Sequence, residues 1–286
     1  MLKPTRLRNL ARYRFRDRGY SAEVFTDADG IALKLYDARF GIDTAHYEYS
    51  VLKHLQGTRL ACAELVDAVQ LGARWGLRYR WIEALPLKDA LYARMSEIDQ
   101  MAQDFARLHA DIHDVPGFAV LPTQVQCFNS ILALQEHLES PRRRRLMAEV
   151  AAMPDADRLC HGDFNPRNTL MDAERGYVID WQSAYRGDPL GDVAKTWVKL
   201  SFFVHRSPLT NEGEKALMAR FCSTYLASYR KIGCFEPEMF LRWVELVAGV
   251  QSRSDEPLKR DWYTHLVTLA ETDPDRLSHL VFGAAS

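Results

Sequence analysis

Several things are scarce in this chain, and each scarcity narrows what it does. The 286 residues contain no run of 18 apolar residues, which excludes a bilayer-spanning helix. The N-terminal stretch has no apolar core of the kind a signal peptide needs. Cysteine is sparse: Cys62, Cys127, Cys160, Cys222 and Cys234 show neither C-x-x-C pairs nor histidine-rich ligand spacing. Reduced thiols in a cytoplasmic protein, with no structural zinc, are the expectation. Charge of one sign is not in excess either. Lys plus Arg number 37 and Asp plus Glu 38, a net of −1. That excludes a basic nucleic-acid-type bulk composition and an acidic solvating tail. No internal repeat and no low-complexity linker is found.

What is present is a globular composition. The chain is 47% hydrophobic, enough for a buried core. At about 150 residues per domain, the length predicts two domains or one large bilobed unit. The first 18 residues hold seven bases and one acid. Arg12, Arg14 and Arg16 alternate there with Tyr13 and Phe15, as on a strand with one wet face. Residues 22–26 and 31–36 read as strands around an Asp-Gly turn at 27–30. A helix capped by Asp43 or Thr44 is predicted to run to Leu55, with Tyr47, Val51, Leu52 and Leu55 on its apolar face. Residues 66–71 and 77–82 read as two more strands, joined near Gly76.

After Pro86 the pattern turns helical. Helices are expected over 95–109, 129–138, 142–150, 193–204, 212–231, 237–251 and 262–269. A β-like island interrupts them at 169–179. The expected fold class is therefore α+β, with a small β-rich lobe over 1–84 and a larger, mainly helical lobe over 85–286. The basic run 142–145 reads as a solvated helix face rather than a nucleic-acid site.

The chemistry concentrates in Cys160-His161-Gly162-Asp163-Phe164-Asn165-Pro166-Arg167-Asn168, followed by Ile179-Asp180-Trp181. Asp163 and Asn168 are five apart, and Asp180 follows twelve later, after a short hairpin turning at 172–176. This spacing resembles the kinase catalytic loop and its metal-binding Asp. Phosphoryl transfer needs one carboxylate to orient and deprotonate an attacking hydroxyl. It also needs hard oxygen ligands for Mg²⁺. Loop plus hairpin is expected to bring Asp163, Asn168 and Asp180 to one rim. Upstream, Lys34 sits in the apolar run Ile31-Ala32-Leu33-Lys34-Leu35-Tyr36, which is costly without a carboxylate partner. Glu48, fourteen residues on, is the expected partner. Backbone amides near Ser21, after Gly19, are a candidate phosphate grip despite the single glycine.

The ordered set Lys34, Glu48, His161-Gly162-Asp163, Asn168, Asp180-Trp181, Gly187-Asp188-Pro189 and Asp192 resembles the aminoglycoside phosphotransferase and choline-kinase-like family of small-molecule kinases. The resemblance runs along nearly the whole chain and implies a bilobed protein-kinase-like fold. It implies Mg²⁺-dependent transfer of the γ-phosphoryl of ATP or GTP to a hydroxyl. Asp163 then matches the catalytic base, and Asn168 and Asp180 the metal ligands. Lys34 matches the phosphate-binding lysine. Trp81, Glu83 and Ala84 fall where an interlobe hinge meets the nucleobase. His161, Asp188 and Asp192 match structural supports of the catalytic loop. Gly162 replaces the Arg of the protein-kinase H-R-D triplet, and no A-P-E follows. A receiver for a phosphorylated activation loop is therefore missing, which favours a constitutively competent metabolite or drug kinase.

The acceptor is the open point. Polycationic aminoglycosides call for an acidic cleft. Residues 155–192 carry a net charge of −4, and 251–286 a net of −2. Asp255, Glu256, Asp261 and Trp262 are candidate acceptor contacts. Choline, thiamine or homoserine kinases would share the same machinery. A catalytically silent nucleotide-binding module is the other alternative, and the complete set of motif residues argues against it. The expected partner is a small molecule, with no nucleic acid and no membrane. Oligomeric state is not readable from the sequence.

Overall fold

The computed structural model describes residues 3–136, 138–154, 156–172, 175–208 and 211–283. Positions 173 and 174 of the expected hairpin turn, and Asp155 and Glu174 of the acid count, lie outside the described residues. In chain order the strands are β1 (Thr5–Arg6), β2 (Arg14–Arg18), β3 (Ala22–Thr26), β4 (Ile31–Tyr36), β5 (Leu65–Leu71), β6 (Arg74–Arg80), β7 (Leu85–Pro86), β8 (Arg158–Cys160), β9 (Thr169–Met171), β10 (Gly176–Val178) and β11 (Tyr185–Gly187). The helices are α1 (Gly41–Leu55), α2 (Leu87–Ala93), α3 (Ile98–His113), α4 (Gln124–Ala133), α5 (Ser140–Ala152), α6 (Pro189–His205), α7 (Glu212–Gly233), α8 (Pro237–Gln251), α9 (Pro257–Thr272) and α10 (Pro274–Phe282).

The chain divides into two compact units. One joins Met1–Pro86 to Asn168–Ser183, and the other joins Leu87–Arg167 to Ala184–Ser286. The sequence expectation of two consecutive pieces, 1–84 and 85–286, thus differs at one segment. The β9–β10 hairpin belongs with the first unit because β7 pairs with β9, Leu85 opposite Met171. The Val178 amide also donates to the Ala61 carbonyl at 2.9 Å. Pairing between strands so distant in sequence leaves no trace in local periodicity.

The first unit is built on a six-stranded sheet in the order β1-β5-β6-β4-β3-β2. Its core gathers Tyr13, Phe25, Leu33, Leu35 and Val69. The alternation of β4 buries Leu33 and Leu35 on that face and leaves Lys34 for the other. The turn expected at Gly76 falls instead after β5, at Gly72, whose φ is +58°. Gly76 lies inside β6 because no side chain fits there: a Cβ would stand 2.7 Å from the Lys34 carbonyl oxygen. The glycine therefore lets β6 close on the strand that carries the lysine. α1 begins at Gly41, two residues before the expected cap, following a short 3-10 turn capped by Asp37. Thr44 returns its hydroxyl to the Phe40 carbonyl at 2.9 Å and is not the cap. The basic β2 is exposed along its whole length at the sheet edge. A charged edge of this kind discourages pairing with another chain.

The second unit is mainly helical. Its longest helices, α6 and α7, pack with α3 and α8 around Phe105, Phe164, Phe221, Tyr225, Phe240 and Trp243. The run 142–145 is tied down by ion pairs, Arg142 with Glu271 at 2.5 Å and Arg145 with Glu149, Glu245 and Glu271. Among the described residues no helix is long and apolar enough to cross a membrane.

Candidate active site

In the first unit, Lys34 is the centre of a charged knot. Its Nζ lies 2.8 Å from Glu48 Oε2 and 2.6 Å from Asp180 Oδ1. Glu48 is buried on α1 and also accepts from the Tyr36 hydroxyl and, at 3.2 Å, from the Trp181 amide. Burial alone would lower the lysine pKa. The facing charges of Glu48 and Asp180 outweigh it and hold the ammonium protonated, its pKa raised. The cost noted for a lysine in an apolar strand is offset by two carboxylates.

Asp180 follows β10 with φ at +67°, in the left-handed region that Asp tolerates better than most side chains. The hairpin register brings Asn168 and Asp180 together. Thr169 pairs with Val178, and the Ile179 amide donates to the Asn168 carbonyl at 3.0 Å. The Asn168 and Asp180 side chains, one amide and one carboxylate at the open end of a hairpin, offer hard oxygen donors of the kind Mg²⁺ takes.

The other first-unit positions are placed less simply. The Ser21 side chain is buried and accepts from Gln182 Nε2 at 3.0 Å, so its hydroxyl faces a neighbour. Gly19 closes the loop tip by donating to the Ala22 carbonyl at 2.9 Å. The Trp81 amide donates to Gly30 and the Ala84 amide to Ile82, which leaves Glu83 as the expected hinge residue with an exposed side chain and no such bond among those described.

In the second unit, the catalytic-loop candidates hang from Asp192. This carboxylate, fully buried on the first turn of α6, accepts the His161 amide at 2.7 Å and the Gly162 amide at 2.9 Å. It also takes His109 Nε2 at 3.2 Å and His113 Nε2 at 3.4 Å. Burial opposes its charge, yet the bonds from His109 and His113 hold its pKa well below the carboxylate range. A plain helix-start acid would be exposed; this one props a loop. The opposite ring nitrogens of His109 and His113 face the Tyr225 and Tyr229 hydroxyls at 2.8 and 2.7 Å. The ligand atoms of His109, His113 and Asp192 lie within 4.8 Å of one another, as metal ligands would. Each already has hydrogen-bond partners, so the cluster reads as a buried polar hub.

Gly162 has φ at +75°, where a β-carbon is strained, and this explains glycine between His161 and Asp163. The Asp163 amide donates to His161 Nδ1 at 3.1 Å, and Phe164 anchors the loop by stacking on Phe105 with ring centroids 4.2 Å apart. Asp188 caps α6 through the Leu190 amide at 2.8 Å and takes the Trp243 indole N–H at 3.3 Å. The Asp163 carboxylate hydrogen-bonds two groups that the sequence reading missed, Lys199 Nζ and, at 3.2 Å, Asn165 Nδ2. Burial would raise its pKa, but Lys199 above all, then His161 and Lys195, lower it. The available signal for the lysines was helical spacing: Lys195 and Lys199 stand three and seven residues after Asp192 on one helix.

The candidate acceptor residues are dispersed. Trp262 is buried and donates to Ser201 Oγ at 3.0 Å, as part of the core. Asp255 and Asp261 are exposed. Glu256 pairs with Lys259 at 2.6 Å.

A family model described as the phosphotransferase enzyme family, APH, matches residues 12–233. The chain belongs to this phosphotransferase family. No match is found among curated proteins. Similar solved structures include the amicoumacin kinase hAmiN in complex with AMP-PNP, Ca²⁺ and Ami, at 12% identity and a TM-score of 0.61, covering 94% of this chain and 90% of that one. An aminoglycoside-3'-phosphotransferase of type VIII has 18% identity and a TM-score of 0.57, covering 84% and 94%. A choline/ethanolamine kinase family protein from Mesorhizobium loti has 14% identity and a TM-score of 0.57, covering 95% and 93%. At these identities the likeness is one of fold, and the phosphotransferase family fold is kinase-like, sheet-rich at its start and helical after.

Proposed function

We propose that this phosphotransferase moves the γ-phosphoryl of ATP or GTP to a hydroxyl of a small molecule, with Asp163 as the base. The observation that carries this reading is the Lys34 ammonium held at once by Glu48 and Asp180, residues 14 and 146 positions away. An apolar strand has no use for such a knot unless the lysine is being aimed. In this reading Lys34 contacts the α- and β-phosphates and Glu48 keeps it pointed there. Asn168 and Asp180 hold Mg²⁺, which when bound neutralises charge on the phosphates. Asp163 orients the acceptor hydroxyl and takes its proton, in a loop that Asp192 and Phe164 keep rigid. AMP-PNP with Ca²⁺ in the amicoumacin kinase complex supports a nucleotide donor with a divalent cation.

The direct test is thermal unfolding of the full chain with ATP or GTP, each with and without Mg²⁺. A rise in melting temperature that needs both nucleotide and Mg²⁺ is expected. No rise with either nucleotide would remove the reading.

A further inference from the structure

The lysine on the proposed base bears on the acceptor. Lys199 and Asp163 are each about a third or less exposed on their side chains, at 27% and 31%, so both remain reachable. An ammonium carries three N–H donors. Asp163 is the one ion-pair partner of Lys199 among the described residues. One turn earlier on α6, Lys195 has no carboxylate partner among the described residues. Its ammonium faces the Phe128 and Tyr185 rings at 5.9 and 5.7 Å. Two carboxylates that neighbour this cluster are themselves partnered. Asp192 is enclosed by amides and histidines, and Glu256 is paired with Lys259. Lys259 itself stands over the Phe202 ring, 5.8 Å from its centroid, next along α6 from this cluster. The buried Tyr263 has both Glu256 and Asp163 as charged neighbours, which links α9 to the base.

The acid surplus in the sequence is thus an incomplete guide. The net of −4 was counted over 155–192, and Lys195 and Lys199 begin three residues later. A polyamine approaching Asp163 would meet the ammonium groups of Lys199 and Lys195. Like charges disfavour that encounter.

We propose that Lys199, backed by Lys195, forms a cationic wall beside the base and selects a small hydroxylated acceptor bearing an oxyanion, a carboxylate or a phosphate. This rests on the phosphotransferase reading of Asp163. During transfer the acceptor hydroxyl oxygen forms a bond to the γ-phosphorus. The bond from that phosphorus to the β,γ-bridging oxygen breaks, and its electron pair leaves with the nucleoside diphosphate. The hydroxyl proton passes to Asp163. As that carboxylate is neutralised, the Lys199 charge turns fully to the acceptor oxyanion.

The test measures nucleoside diphosphate release by the full chain with Mg²⁺ and ATP or GTP over four acceptor groups. These are hydroxy acids (glycerate, gluconate), phosphorylated polyols (glycerol 3-phosphate, ribose 5-phosphate), their neutral parents (glycerol, ribose), and cations (kanamycin, choline). Turnover of at least one anionic group, at a kcat/KM well above its neutral parent, is expected; which anionic group responds separates carboxylate from phosphate. Lys199→Met is expected to raise KM for the anionic acceptor about tenfold or more with a smaller change in kcat, and Lys199→Arg to restore most of it. Melting curves of both variants confirm that they are folded. Turnover of the cationic group alone, or of no group while nucleotide still stabilises the protein, overturns the anionic acceptor and leaves the nucleotide reading intact. So does a Lys199→Met effect confined to kcat and equal for neutral and anionic acceptors. Absence of nucleotide stabilisation overturns both.

Discussion

The Lys34 ammonium stands 2.6 Å from the Asp180 carboxylate, joining strand β4 of the main sheet to the end of a distant hairpin. The same ammonium is 2.8 Å from Glu48. Removing it leaves Glu48 buried and without its cation. Lys34→Met is therefore expected to lower stability by about 3 kcal/mol or more, the cost of stranding one member of a buried pair. Glu48→Gln in the same background should recover part of that loss, because a neutral amide tolerates burial. Urea denaturation of the two single variants and the double variant checks this; strictly additive losses would show that the two residues are not coupled.

Asp163→Asn removes the proposed base and keeps the shape. It is expected to lower kcat by about 10² to 10⁴. The nucleotide-dependent rise in melting temperature should persist, since the proposed phosphate and metal groups of Lys34, Glu48 and Asp180 are unchanged. A variant retaining near-normal kcat would assign the proton to another group.

His109 predicts an acid limb of stability. Burial first, then the neighbouring charge of His113, lower its pKa from about 6.5 to about 3 in the folded protein. Between those values the unfolded chain binds a proton that the folded chain does not. Stability is complete above pH 6.5 and falls as pH falls, by up to about 1.4 kcal/mol per pH unit for one proton. Urea midpoints at pH 7, 6 and 5 should decline, and the decline should be shallower in His109→Gln, where nothing titrates. An equal slope in the variant would place the linkage elsewhere.

Lys195 predicts the opposite kind of substitution effect. Burial, and then the charge of Lys199, lower its pKa to about 8. Below that pH the folded state holds a poorly solvated charge, and its penalty disappears only as pH rises towards the ordinary lysine value. Lys195→Met is expected to raise the melting temperature at pH 7, with a gain that shrinks towards pH 10. If Lys195 serves the acceptor, the stabilised variant should also show a higher acceptor KM, a trade common at functional sites.

The site was legible to the extent that its parts are close in sequence. Asp163, Asn168 and Asp180 belong to one loop and one hairpin, so their spacing carries the chemistry proposed for them. Lys34 and Glu48 were readable because a lysine in an apolar strand demands a nearby acid, and helix α1 supplies one. Gly76 was misread because turns and close strand contacts call for the same residue; only the Lys34 carbonyl beside it distinguishes them. Trp262 was ambiguous for a similar reason, since an indole serves a pocket or a core equally well, and Ser201, which accepts its N–H, is 61 positions away. Lys199 went unseen because an exposed-looking lysine on a helix carries no local sign of which carboxylate it will meet.

The sequence by itself determined the α+β class, the paired Lys34 and Glu48, and the loop and hairpin that carry Asp163, Asn168 and Asp180. Each depends on local spacing and on the cost of burying charge, which act wherever the chain goes. Only the tertiary structure decided that His109 and His113 meet Asp192, that the hairpin joins the first unit, and that Lys199 pairs with Asp163. Those outcomes depend on which distant groups meet in space, and net charge, averaged along a chain, is blind to that.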